Sequence, residues 1–384
     1  MTRRICTVSA LLISTMAAAQ SLVRFEISEL PSYHDTTSHI YITGSFNGWN
    51  PGNNQYRFTR DGRGKYVLDL KLAEGSYEYK LTRGSWNLGE CNKGGSASRN
   101  RVLIVKNAQH TEQLKVMGWA DNFAAAAPRH TASERVLIMD TAFAMPQLKD
   151  SRRIWIYLPR DYHTEPARRY PVLYMHDGQN LFDDATSYAG EWGIDEFLDT
   201  TSLPPCIVVG IDNGPRRMNE YNPYNTKRFG KGDGDDYVDF IVYQLKPAID
   251  ARYRTMSDQR QTMVAGSSMG GLISFYALLK YPNVFGGAGV FSPSFWIAPS
   301  LDTKVKETGK KLRSKLYFYA GTEESRTMVS DMKKIDSLLQ SRSAAQTVVV
   351  VKDGAKHNEA AWRSVFPDFY KWMMNQWNND PPIR

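Results

Sequence analysis

The densest chemical signal in the chain is Gly266-Ser267-Ser268-Met269-Gly270, a G-x-S-x-G pattern. An apolar run, Gln261 to Ala265, precedes it, and a second apolar run from Gly271 to Lys280 follows. A strand, a sharp turn and a helix in that order push the central serine hydroxyl outward. Glycines two positions to either side let strand and helix pack closely. Ser268 is therefore the candidate nucleophile, and Ser267 is expected to point into the fold. The amide of Met269 opens the helix, where it can donate to a developing oxyanion with the helix dipole behind it.

A serine hydroxyl is a poor nucleophile until a base takes its proton. On such an elbow the acid and then the histidine follow the serine along the chain. Of the seven histidines (His34, His39, His110, His130, His163, His176 and His357) only His357 follows Ser268, in the loop after Val348 to Val351. The carboxylates between them are Asp302, Glu307, Glu323, Glu324, Asp331, Asp336 and Asp353. Only Glu323 and Glu324 follow directly on an apolar strand, Lys315 to Thr322, which is where a carboxylate that orients the imidazole belongs. Glu324 is preferred, with Glu323 the alternative, and Asp353 is too near His357 in sequence to reach it from the opposite side. A second oxyanion donor is expected from the loop after Tyr170 to Met175. There Gly178 permits close approach, and the Gln179 amide is the candidate. His176-Asp177 has no companion ligands at metal spacing, so neither a metal nor a cofactor is expected.

Two kinds of periodicity must position these groups. Residues 22 to 117 alternate in period two between turn residues, which predicts a small immunoglobulin-like β-sandwich over 20–118. Residues 119–133, ending in AAAAPRHTAS, read as a linker. From 134 to 384, short apolar strands alternate with helical segments. The strands are expected at Arg153–Leu158, Pro171–His176, Cys206–Asp212, Thr262–Ala265, Leu316–Ala320 and Thr347–Val351. Their near-continuous apolar character predicts a mainly parallel sheet under helices, an α/β domain. Asp235 to Tyr253 and Leu272 to Lys280 carry helical spacing, with Pro247 expected to end or kink the first.

The chain begins Met1-Thr2-Arg3-Arg4, followed by an apolar stretch to Met16 and then Ala17-Ala18-Ala19. This predicts a secretory signal over 1–19, cleaved before Gln20, and a secreted or periplasmic product. No apolar run reaches the roughly 18–20 residues of a membrane-spanning helix. The 384 residues carry 48 Lys plus Arg against 40 Asp plus Glu, an excess of +8 with no basic block, which argues against nucleic acid as a partner. Three cysteines exclude a disulfide scaffold. Cys91 and Cys206, the two left after cleavage, are expected as free, partly buried thiols.

Six segments occur in order: HDGQNLFDD (176–184), IDNG with R-x-x-E-Y-x-P (211–223), DDYVDFIVYQLKPAIDARYRT (235–255), GSSMGG (266–271), YAGTEE (319–324) and DGAKHNEAAW (353–362). Together they resemble the putative-esterase branch of α/β-hydrolases. That branch includes feruloyl and acetyl esterases of carbohydrate esterase family 1, S-formylglutathione hydrolases and enterochelin-type siderophore esterases. The resemblance covers residues 134 to 377 and implies ester hydrolysis through an acyl-enzyme, with Ser268 and His357 carried over. A glutamate stands where the family more often has aspartate. Arg217, Glu220 and Tyr221 fall in the loop after a central strand, as substrate contacts or as a structural ion pair. In the first domain, GSFNGWNP (44–51), EGSYEYKL (74–81) and RGSW (83–86) resemble the glycogen-binding domain of AMP-activated kinase and family-48 carbohydrate-binding modules. That resemblance implies Trp49 and Trp86 as sugar-stacking residues and Lys80 as a hydroxyl ligand, against the alternative that both indoles are sandwich core.

The leading expectation is a secreted serine esterase that removes feruloyl or acetyl groups from a small-molecule or polysaccharide ester. The alternatives are a siderophore trilactone esterase and a glycan-binding protein with an inert hydrolase domain. A sugar-binding module is unexpected in a siderophore esterase, and the signal segment disfavours cytoplasmic S-formylglutathione hydrolysis.

Overall fold

The period-two alternation of the first hundred residues becomes strands whose inward side chains share one core. The computed structural model describes residues 20–377, apart from 97, 99, 107–108, 124–128 and 227–229. The expected signal over 1–19 lies outside the described residues. Two compact units result, Met1–Ala125 and Ala126–Arg384.

In the first unit, four strands lie in the spatial order Thr59–Arg60, Tyr66–Ala73, Gln20–Glu29, His110–Lys115. A second sheet holds Tyr41–Gly44, Gly75–Thr82 and Arg101–Val105. Val23, Phe25, Ile42, Tyr79, Leu81, Leu103 and Val105 come from both sheets and form one buried cluster with Trp119. Gln20–Glu29 pairs in parallel with His110–Lys115, while the other pairings are antiparallel. Trp119 is wholly buried in this core and pairs with Glu90, so the segment expected as a linker from residue 119 begins inside the first unit. Its far end is also fixed, because the amides of Thr131 and Ser133 donate to Asp183 and Asp195 of the second unit. Cys91 and Cys206 are both buried and free.

The second unit is built on eight strands. They are β1 (Val136–Met145), β2 (Asp150–Tyr157), β3 (Val172–His176), β4 (Ile207–Ile211), β5 (Thr262–Ser267), β6 (Gly287–Phe291), β7 (Lys315–Gly321) and β8 (Gln346–Lys352). Their spatial order is β1-β2-β4-β3-β5-β6-β7-β8. The β1-β2 and β2-β4 pairs are antiparallel and every other pair is parallel. Strands β3 to β7 are buried throughout, as their apolar runs require under helices on both faces. One apolar cluster lies on each side, around Phe240, Leu272 and Phe318 on one and Trp192, Phe291 and Phe369 on the other.

The expected strands lacked β1 and β6. Pro247 does not end its helix. Helical turns run through Gly234–Phe240, Ile241–Leu245 and Lys246–Arg252, with the middle five residues widened into a π turn just before the proline. The wider turn accommodates the missing proline N–H. Among the described residues, no helix is long and apolar enough to cross a membrane.

Candidate active site

The parallel strands β5 to β8 end on one edge of the sheet, and the sequence-predicted groups gather there. β5 ends at Ser267, which is buried as expected, and helix α1 (Met269–Lys280) begins two residues on. Ser268 joins them with φ 59° and ψ −119°, a strained conformation for a residue with a side chain. Close packing explains the flanking glycine: a Cβ on Gly266 would lie 2.9 Å from the Gly270 carbonyl carbon and 3.0 Å from the His176 ring. The Ser268 amide donates to Phe291 O at 2.9 Å, and Ser294 N donates to Ser268 O at 3.1 Å, so the loop after β6 wraps the elbow. Ser268 Oγ bonds to Ser294 Oγ at 3.3 Å. No hydrogen bond joins Ser268 to His357 among the described residues.

His357 and Glu324 meet directly. His357 lies after β8 and Glu324 after β7, and Nδ1 stands 2.9 Å from Glu324 Oε2. Against a carboxylate acceptor Nδ1 carries the proton, which leaves Nε2 to act as a base. Glu324 is buried, and its Oε1 accepts from the Gly321 amide at 2.6 Å and from Ser292 Oγ at 2.7 Å. Trp362 Nε1 donates to Ser292 Oγ at 2.8 Å, while the Trp362 ring meets the imidazole edge-on at 5.0 Å. Glu323 is instead exposed and pairs with Lys356 at 3.5 Å. Asp353 accepts from Thr322 Oγ1 at 2.9 Å, away from the imidazole.

Beside the elbow, β3 ends in a turn, Gly178–Asn180, that carries the Gln179 amide. Asp177 has φ 58°, and a Cβ on Gly270 would lie 3.4 Å from its Oδ2, so this turn packs against the start of α1. Burial pushes the Asp177 carboxyl up, but the Arg217 guanidinium and Asn213 outweigh burial and hold it below the ordinary carboxylate value. Arg217 donates Nε and one Nη to the two Asp177 oxygens at 2.6 and 2.7 Å, a bidentate pair. Burial drives His176 down to about 4, so it stays neutral, with Nδ1 2.9 Å from Tyr237 Oη.

Glu220 and Tyr221 lie inside the fold. Both are wholly buried. Glu220 accepts from Arg152, and Tyr221 packs on His176 at 5.3 Å and on Tyr237 at 5.0 Å, beneath Arg217. Glu220 thus makes an ion pair with Arg152, a buried partner from 68 residues upstream. Arg217 keeps a partly exposed side chain.

Four residues escaped the sequence reading. Ser292, Ser294 and Trp362 hydrogen-bond around the predicted residues, and Glu359 opens the last helix, α2 (Glu359–Trp377). Burial pushes Glu359 up, with Asp177 adding to the rise and His357 and Arg217 opposing it. The FSPS sequence at 291–294, directly after a strand, was the available signal. A groove of about 840 Å³ lined by Arg160, Pro204, Cys206 and Tyr370 involves none of these groups.

In the first unit, Trp49 and Trp86 lie with ring centroids 6.2 Å apart and inclined at 36°. Neither belongs to the buried cluster, and Trp86 is exposed. Lys80 lies on Gly75–Thr82, opposite Thr43 of the neighbouring strand.

A mainly parallel eight-stranded sheet, a serine elbow on a central strand, and an acid and a histidine on later loops define an α/β-hydrolase. Residues 146–373 match the family described as "Putative esterase". That match covers more than half of the chain, which therefore belongs to this family and is a carboxylic ester hydrolase. An uncharacterized protein of Bacillus subtilis, YbbA, is 26% identical over 239 residues, 58% of this chain and 92% of the relative. The iron(III) enterobactin esterase of Dickeya dadantii is 26% identical over 280 residues, 68% of this chain and 59% of the relative. An endo-1,4-beta-xylanase/feruloyl esterase of Xylanibacter ruminicola is 24% identical over 213 residues, 54% of this chain and 27% of that protein. Among solved structures, the enterochelin esterase of Shigella flexneri superposes with a TM-score of 0.51 at 18% identity. It covers 89% of this chain and 88% of its own.

Proposed function

We propose that the protein is a secreted serine esterase that removes feruloyl or acetyl groups from carbohydrate through an acyl-enzyme. The observation that carries the chemistry is the 2.9 Å hydrogen bond from His357 Nδ1 to Glu324 Oε2, at the sheet edge where Ser268 stands on its elbow. In this reading residues 1–19 are a cleaved leader, 20–118 a sugar-binding sandwich, and the chain from 134 the esterase.

Ser268 Oγ exchanges its bond to Ser294 for one to His357 Nε2, gives up its proton there, and attacks the acyl carbonyl. The carbonyl oxygen gains the negative charge and takes hydrogen bonds from the Met269 and Gln179 amides. As the carbon–oxygen bond to the alcohol breaks, His357 returns the proton to the leaving oxygen. Water then attacks the acyl-serine, with the same imidazole taking its proton and handing it back to Ser268 Oγ. Glu324 stays ionised throughout and steadies the imidazolium. Arg217 acts from beside the turn that bears Gln179.

The paired indoles outside the first core, Trp49 and Trp86, support a carbohydrate-linked ester, since flat apolar faces suit pyranose rings. A feruloyl esterase relative points the same way. The siderophore reading rests on a different observation: the enterochelin esterase structure follows this chain through 89% of its length. That length reaches into the first unit, so a unit of this fold does not by itself weigh against a siderophore esterase. An inert hydrolase domain is disfavoured because Ser268, His357 and Glu324 are all present.

The test is the mature protein against methyl ferulate, acetylated xylan and a catecholate trilactone, with Ser268→Ala as control. Turnover of the first two above the trilactone is expected. Preference for the trilactone would replace the carbohydrate reading, and no turnover of any ester would overturn both.

A further inference from the structure

Behind Trp362, three carboxylates converge outside the esterase machinery. Glu191, Asp195 and Glu196 each bring one oxygen to within 4.8 Å of the others. Glu191 is buried and Asp195 wholly so. Asp195 and Glu196 lie at the start of the short helix Ile194–Thr200.

These carboxylates have few partners. Asp195 Oδ2 accepts from the Ser133 amide at 2.7 Å, and Glu191 Oε2 accepts from Thr131 Oγ1 at 3.1 Å. Asp195 Oδ1 and Glu196 Oε2 are buried with no hydrogen-bond partner among the described groups. The facing cation is Arg363, 3.7 Å from Glu191 Oε1 and from Glu196 Oε1, and its side chain is 48% exposed. One half-exposed guanidinium at that distance does not balance three gathered carboxylates, two of them buried. Burial pushes the carboxyls of both Glu191 and Asp195 up, and the neighbouring Glu196 carboxylate pushes in the same direction. An orphaned buried carboxylate oxygen is costly unless something positive meets it.

We propose that Glu191, Asp195 and Glu196 form a binding site for a divalent cation of the calcium class. The donors are all oxygen, which suits a hard cation and not zinc or copper. Calcium takes oxygens at about 2.3–2.6 Å in flexible geometry, so one ion spans three oxygens up to about 4.5 Å apart, and a cluster whose oxygens lie within 4.8 Å of one another closes on it with at most a few tenths of an ångström of movement. Magnesium, with bonds of about 2.0–2.1 Å and near-ideal octahedral geometry, tolerates such spacing less. This departs from the expectation that the chain holds no metal. That expectation considered only His176-Asp177, whereas here the ligands come from one turn and the helix it enters.

The site is linked to His357 through two indoles. Trp192 follows Glu191 and stacks on Trp362 at 5.8 Å and 28°, and Trp362 meets the His357 ring. An ion here ties the 131–133 segment to residues 191–196 and steadies the indole pair behind the imidazole. Its role is positional.

The experiment uses the full mature chain, stripped with chelator, and Tb³⁺ as a luminescent stand-in for Ca²⁺, excited through the indole of Trp192. Saturable Tb³⁺ emission at one ion per chain is expected, displaced by Ca²⁺ more readily than by Mg²⁺. A rise in Tm of several degrees with Ca²⁺ should accompany it. Asp195→Asn should abolish saturable binding. Glu196→Gln, at a partly exposed position that spares the fold, should weaken it about tenfold or more. Folded wild-type chain that binds neither ion saturably, or Asp195→Asn and Glu196→Gln variants that bind as tightly as wild type, would overturn the proposal. These readouts are independent of ester turnover.

Discussion

Ser292 Oγ donates to Glu324 Oε1 at 2.7 Å while it accepts from Trp362 Nε1 at 2.8 Å. The carboxylate that faces His357 is thus itself held from behind, by a serine at φ 45° on the loop that also wraps the nucleophile elbow. One loop, Phe291 to Ser294, therefore holds both Glu324 and Ser268, the two ends of the proposed triad. Ser292→Ala leaves the Trp362 N–H unpaired and Glu324 Oε1 with the Gly321 amide alone. The expected result is a kcat lower by about tenfold, equivalent to ~1.4 kcal/mol, with KM within about a factor of two. Stability should fall by ~1–3 kcal/mol from the orphaned buried donor. Steady-state kinetics with a small ester and a urea melt check both. A raised KM at unchanged kcat would mean that Ser292 acts on the substrate and not on the acid.

Ser268→Ala should remove ester hydrolysis by a factor of ~10⁴ or more, with the melting curve kept near wild type. Alanine bears the φ 59° conformation no worse than serine does, so loss of rate with an intact fold isolates the hydroxyl. A variant that keeps most of its activity would remove Ser268 from the mechanism.

The two adjacent glutamates separate cleanly. Glu324→Gln should lower kcat by about 10²–10⁴, because the amide can no longer hold the imidazole in the same tautomer and steady its charge. Glu323→Gln should change it by less than about twofold, as an exposed pair with Lys356 contributes little. Equal small losses in side-by-side kinetics would leave Ser268 and His357 as a dyad.

His176 makes stability depend on pH. It is buried beneath the elbow against Tyr237, Tyr221 and Asp177, with Arg217 beyond, and burial lowers it from its ordinary 6.5 to about 4. Between those values the unfolded chain takes up a proton that the folded chain refuses. Stability is then fully present above about pH 6.5 and falls by ~3 kcal/mol as pH drops toward 4. Urea unfolding at pH 7 and pH 4.5 on wild type and His176→Gln measures this term. The variant should lose most of the decline, and an unchanged decline would assign it to other groups.

The residues of the proposed triad were legible because each is marked locally: Ser268 by flanking glycines, Glu324 and His357 by the apolar strands they follow. What escaped depends on partners far away in sequence. β6 reads GAGVF and has no β-branched run. Its small residues are required by packing, since a Cβ on Gly289 would lie 2.8 Å from Phe369, 80 positions on in α2. β1 breaks its alternation at two register shifts, after Ile138 and after Asp140, which blur a period-two signal. Glu220 is charged and ends a single helical turn, Arg217–Glu220, yet it is wholly buried, and the explanation is the distant Arg152 together with Arg216 at 3.7 Å. The cage of Ser292 and Trp362 joins residues 70 apart, beyond any local pattern.

The last prediction separates the two units by function. Every group proposed for acyl transfer lies in the second unit, whereas Trp49 and Trp86 lie in the first, outside its buried cluster. A sugar platform raises the local concentration of a polymeric substrate without altering the transition state of the ester itself. Trp49→Ala combined with Trp86→Ala should therefore leave hydrolysis of p-nitrophenyl acetate within about a factor of two, a difference under ~0.5 kcal/mol. The same pair should weaken retention on, or turnover of, an acetylated or feruloylated glycan. Both substrates are measured side by side on variants whose melting curves match wild type. Collapse of small-ester activity in a folded variant would mean that the first unit shapes the active site. No change with either substrate would remove the indoles from substrate binding and shift the balance to the siderophore reading, where a soluble trilactone needs no polymer platform.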